Sequence, residues 1–138
     1  MIEQQSVSLK EAQSLLQAGL EKAKEIGTKS NIAVVDAGGE LLAFARMDDA
    51  WRGSIDIAIN KAFTSRAFDI PTSELAKLST PGSPFYGIQE SNHGRVMIFA
   101  GGVPLKSGNK VVGAVGVSGG MGDQDQSVAE AAAKAFKA

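Results

Sequence analysis

Lys110-Val-Val-Gly-Ala-Val-Gly-Val-Ser-Gly-Gly120 is uncharged after its first residue, and its valines at 111, 112, 115 and 117 favour the pleated backbone of a strand. A run that is apolar on both faces needs cover on both, which places it in the middle of a sheet rather than at an edge. Gly113 and Gly116 interrupt its surface. Glycine weakens a strand unless something must come close to the backbone there: a helix, a bulge or a flat ligand.

Working outward, Val103 to Lys106 is a strand joined to this one through the Ser107-Gly108-Asn109 turn, and Val96-Met-Ile-Phe99 reads as another short buried strand. Ile32 to Val35 and Leu41 to Ala45 flank Asp36-Ala37-Gly38-Gly39, a hairpin turn in which glycine accepts positive φ. Five strands are therefore expected. Helices separate them. Ser8-Leu9-Lys10-Glu11 is a capping box opening a helix with Leu9, Ala12, Leu16, Leu20 and Ala23 on one stripe and Gly27 as its stop. Ser54 is placed to cap a second helix to about Phe68, with Ile55, Ala58, Ile59, Ala62 and Phe63 on one face. Pro71-Thr72 opens a short third helix through Leu78, capped by the Thr72 hydroxyl. Asp123, with Gln126 at the third helical position, offers a cap for a last helix carrying Val128, Ala132, Ala135 and Phe136.

The expected order is α-β-β-α-α-β-β-β-α, an α+β domain with helices on the faces of an antiparallel sheet. With 138 residues, 43% of them hydrophobic, residues 1–138 form a single domain around one core. A net charge of -1 gives no electrostatic footprint for nucleic acid, and no basic amphipathic stretch suits a membrane. Small-molecule ligands and protein partners remain. The absence of cysteine removes disulfides, thiolate nucleophiles and Cys-based metal sites. The polar start lacks the features of a secretion signal, and a cytoplasmic location is expected.

Six strings in order resemble the GlcG/HbpS family: Val34-Val35-Asp36-Ala37-Gly38-Gly39, Arg46-Met47-Asp48, Asn60-Lys61-Ala62, Phe85-Tyr86-Gly87-Ile88, Gly101-Gly102-Val103-Pro104-Leu105 and Gly113 to Gly120. That family includes the C-terminal domain of PduO-type adenosyltransferases and small proteins encoded near glycolate and glycerol or diol utilisation genes. The resemblance implies a profilin-like or roadblock-like fold, a five-stranded antiparallel sheet with its last strand central, and assembly into dimers or larger homo-oligomers. It also implies haem binding, with roles in stress sensing or haem delivery. Some haem-binding relatives take an axial histidine from the first helix, and the first helix here has none.

His93 is the only histidine and so the only imidazole for haem iron or another metal. Tyr86 and the methionines are other candidate ligands, and Phe85 adds aromatic area on the same loop. Segment 79–94 holds two prolines and several glycines, but Phe85, Tyr86 and Ile88 suggest an ordered, packed loop. Lys61 and Arg46 lie beside apolar stripes, where a cation needs water, an anionic ligand or a neighbouring Asp. Arg95 joins them as a candidate rim charge. A rival reading is a small enzyme isomerising or hydrolysing a carboxylated catabolic intermediate, with Lys61 or Arg46 holding the carboxylate and Tyr86 or His93 moving the proton. Adjacent Asp48 and Asp49 point apart on a strand end, and Ser91 with His93 lacks an orienting third group, so neither makes a convincing catalytic set. Gly119 to Asp123 reads as a tight turn between strand and helix.

Overall fold

The computed structural model describes residues 1–137. Helix α1, Leu9–Ile26, begins as its capping box dictates. The Glu11 amide donates to Ser8 Oγ at 3.2 Å and the Ser8 amide to Glu11 Oε1 at 2.9 Å. Gly27, with φ 77°, turns the chain out of the helix. Strands β1, Asn31–Asp36, and β2, Leu41–Arg46, pair antiparallel. Their turn is fixed by Asp36 Oδ1, which accepts from the amides of Gly38 and Glu40 at 2.9 and 3.0 Å. Helices α2, Gly53–Phe68, and α3, Thr72–Leu78, follow, then an irregular segment with two short 3-10 turns. Strands β3, Gly102–Ser107, and β4, Lys110–Ser118, and helix α4, Gly122–Lys134, complete the domain.

The sheet order is β2-β1-β4-β3, all neighbours antiparallel, so β4 is an inner strand as its two apolar faces require. The described sheet has four strands and not five. Val96–Phe99 forms no strand. Its backbone is satisfied by α2 instead: the Met97 amide donates to Thr64 Oγ1 at 2.9 Å, and Thr64 Oγ1 lies 3.3 Å from the Arg95 carbonyl. A buried polar backbone needs partners, and here a helix side chain supplies them where a neighbouring strand was expected.

Helices α1 and α4 pack together on one face of the sheet, and α2 covers the other with α3 at its side. The first face holds the larger apolar core, including Leu15, Ile32, Val34, Val115, Val117 and Val128. The second holds small residues: Ala33, Val35, Ala58, Ala62 and Ala114. The glycines of β4 explain this. A Cβ on Gly116 would overlap the Ala58 carbonyl and the Ala62 amide of α2, and a Cβ on Gly113 would meet the Val35 carbonyl and the Val7 side chain. Of the three reasons open to these glycines, Gly116 shows the close approach of a helix, and Gly113 sits at a register shift between β3 and β4.

Three caps differ from expectation, and at α3 the reason is a tertiary contact that claims the capping group. The Thr72 hydroxyl accepts from the Gly102 amide at 2.8 Å, tying α3 to β3. Helix α2 begins at Gly53 with no side-chain cap, and the buried Ser54 donates its amide to the Trp51 carbonyl at 3.2 Å. At α4 the Gln124 side chain accepts from the Met121 amide and Asp125 Oδ1 from the Gly120 amide, both at 2.9 Å, while Gln126 Oε1 reaches the Gly101 amide at 3.1 Å. Asp123 is left exposed.

Candidate functional site

The predicted rim cation Lys61 is 2% exposed. It sits inside the α2 face, where its ammonium donates to the Val117 carbonyl at 2.9 Å and to Asp125 Oδ2 at 3.2 Å. Burial pushes the Lys61 ammonium below its ordinary range, and the facing Asp125 carboxylate opposes that shift. Asp125 is itself buried, and its other oxygen holds the Gly120 amide. One ion pair therefore locks α2, the end of β4 and the first turn of α4. Of the partners open to Lys61, water, anion or Asp, the structure selects the Asp. Lys61 offers no charge to a ligand at the surface.

The loop residues face outward. Phe85 and Tyr86 are 48% and 60% exposed, and His93 is exposed with positive φ. The loop is ordered by short-range backbone bonds, such as the Phe85 amide to the Leu78 carbonyl at 2.9 Å and the Ile88 amide to the Phe85 carbonyl at 2.9 Å. Arg95 stacks its guanidinium 3.7 Å above the Phe63 ring of α2. The Ser91 hydroxyl donates to the Ile88 carbonyl at 2.6 Å, so Ser91 and His93 form no nucleophile–base pair. No group of three His, Asp or Glu side chains among the described residues could hold a metal ion.

Arg46 lies elsewhere. Phe63, beneath Arg95, approaches Gly39 in the β1–β2 turn, whereas Arg46 ends β2 at its far end. Six strand residues at about 3.4 Å each put these ends roughly 17 Å apart. Arg46 reaches toward the Ala50 carbonyl at 3.5 Å and lines a cavity of about 580 Å³ with Asp48, Trp51 and Arg52. The sequence candidates thus divide into three groups: a buried ion pair, an outward loop with His93 and Arg95, and the Arg46 corner. Two participants escaped the sequence reading. Asp125 was legible only in that a lysine on a buried face demands a carboxylate. Trp51, 65% exposed, carried the weaker signal of a lone tryptophan between arginines and aspartates.

No described helix is long and apolar enough to cross a membrane. These features define a small α+β domain whose interior is pinned by one ion pair and whose aromatic loop faces solvent.

The chain belongs to the family of haem-degrading protein HbpS-like domains, whose pattern matches residues 7–134. It is 43% identical over 131 residues to an uncharacterized 15.0 kDa protein in the dhaT-dhaS intergenic region of Citrobacter freundii, covering 95% of this chain and 92% of that one. Its structure is similar to that of Klebsiella pneumoniae protein ORFY, with TM-score 0.95, 39% identity, and 98% and 93% of the two chains covered. It is also similar to a PduOC:heme complex, with TM-score 0.90, 32% identity and 94% of each chain covered.

Proposed function

We propose that this chain binds haem, or a similarly flat anionic ligand, through the loop that carries Phe85, Tyr86 and His93, and that it serves a catabolic or stress-response pathway as a homo-oligomer. The observation that carries this reading is His93. It is the chain's only imidazole, it is exposed, and neither ring nitrogen is engaged in a hydrogen bond among the described residues. The likeness to a PduOC:heme complex supports the choice of ligand.

The residues present fit such a group in part. A free imidazole nitrogen suits haem iron, the rings of Phe85 and Tyr86 offer apolar area, and Arg95 brings a cation two residues from His93. Bound haem would supply an iron centre open to redox change. The chain's own tasks are to donate the imidazole, cover one side of the ligand and balance its acid groups. Arg46 is too distant to share these tasks within one chain.

Because Phe85, Tyr86 and His93 are all exposed, one chain offers one wall, and a second copy would supply the other. The exposed side chains of Trp51, Phe99 and Met121 favour association in the same way. Titration with hemin should give a Soret band that saturates at about one equivalent per two chains, and His93→Ala should abolish or shift it. An unchanged band in His93→Ala would remove His93 from the site. No band in the native protein would overturn haem as the ligand, and a monomeric mass in light scattering would overturn the oligomer.

A further inference from the structure

A cleft of about 710 Å³ opens at the turn end of the sheet, between the N-terminal segment, the last turn of α2 and the β3–β4 turn. Its charged lining is unevenly satisfied. Arg66 is pinned: its Nε donates to the Ala37 carbonyl at 2.6 Å and its Nη1 to Asp69. Among the described residues its Nη2 donates to nothing, so a guanidinium held in one orientation keeps one amino group unused. Lys106 and Lys110 flank the β3–β4 turn and line the same cleft, and among the described residues neither forms an ion pair. Glu3 also lines the cleft but lies within ion-pair distance of neither lysine.

Like charges gathered on one wall repel unless a counter-charge joins them. Asp69 is committed to Arg66, and Glu3 is paired directly with neither lysine, so cations outnumber carboxylates in the cleft. The same cleft is also lined by Ile2, Val111 and Asn109. A fixed guanidinium edge, a pair of ammonium groups and the apolar Val111 lining one cleft are complementary to an anion with a hydrocarbon middle.

We infer that this cleft is a second ligand site, separate from the His93 loop, and that it takes a small aliphatic dicarboxylate. One carboxylate pairs with Arg66 Nη2 and the other with Lys106 and Lys110, while the methylenes cover Val111. No residue assigned to the haem reading takes part.

Isothermal titration of the full chain with glutarate tests this, with neutral glutaramide and inorganic phosphate as comparison probes. Glutarate should give saturable heat and glutaramide none. The double variant Lys106→Gln/Lys110→Gln should bind glutarate at least about tenfold more weakly, as expected when charge-assisted contacts are lost. Its thermal midpoint and its hemin spectrum should match those of the native protein. Unchanged glutarate affinity in the double variant, equally strong phosphate binding, or no saturable heat up to roughly 10 mM, beyond the millimolar range of weak ligands, would overturn the proposal.

Discussion

The two faces of the sheet hold together by different physics. On the α1/α4 face, large aliphatic side chains fill volume: Leu15, Ile32, Val34, Val115, Val117 and Val128 are at most 1% exposed and carry no polar atoms. On the α2 face, contact is made by backbone against backbone across Ala58, Ala62 and Gly116, and directional bonds do the rest. Lys61, Thr64, Ser65 and Thr72 are all buried with polar partners, and buried Asn31 donates its side-chain amide to the Trp51 carbonyl while its Oδ1 has no partner among the described residues. A face that works by volume relaxes around small changes, because dispersion contacts have no preferred direction. A face that works by close approach and paired polar groups leaves an orphan whenever one partner goes.

The sharpest break of this contrast is Lys61→Met, which keeps most of the volume and leaves Asp125 buried without its cation. It should cost about 3–5 kcal/mol in urea denaturation, the usual loss when one member of a buried pair is removed. The double variant Lys61→Met/Asp125→Leu should recover most of that, since the unpaired charge goes too. Burial holds the Lys61 ammonium below the usual 10.5, so between its folded value and 10.5 the unfolded chain binds that proton more tightly and stability rises with pH. Lys61→Met should lack that rise.

On the opposite face, Leu15→Ala should cost about 2–5 kcal/mol, depending on how far the core collapses, but Leu15→Met should cost under about 1.5 kcal/mol. A similar loss from both Leu15 variants would show that this face is as exacting as the other. Gly116→Ala adds a single methyl against the Ala58 carbonyl and should cost about 1–3 kcal/mol, with α2 displaced from the sheet. A variant as stable as the native chain would mean that α2 slides freely on the sheet and that the close approach is not required.

The smallest effect lies outside both faces. Ser8→Ala removes the α1 cap and should cost about 1 kcal/mol. The hydrogen bonds from the Ser8 amide and hydroxyl hold the Glu11 carboxyl below its ordinary 4.5. A depressed carboxyl stabilises the fold above its unfolded value and loses that contribution as pH falls through its folded value. The penalty of Ser8→Ala should therefore shrink on acidification from about pH 6 to about pH 3 in parallel urea titrations. A constant penalty would mean that the Ser8 hydroxyl bond to Glu11 adds nothing, since the amide bond survives the substitution.

What the sequence determined by itself was local or compositional. The capping box at Ser8, the stop at Gly27 and the Asp36–Gly39 turn depend on residues within a few positions of one another, and each formed as read. The inner position of β4 followed from a run with two apolar faces, since such a strand has no side to give to water. The family was legible because six short strings kept their order. What only the tertiary structure decided were the partners of polar groups, because an acceptor far along the chain leaves no local mark. Lys61 chose Asp125, 64 residues away, over a ligand. The Thr72 hydroxyl left its own helix for Gly102, and Thr64 took the backbone of Met97 that would have made a fifth strand. The role of Gly116 was settled in the same way: an absent side chain says that something comes close, and only the packing of α2 says that it is a helix.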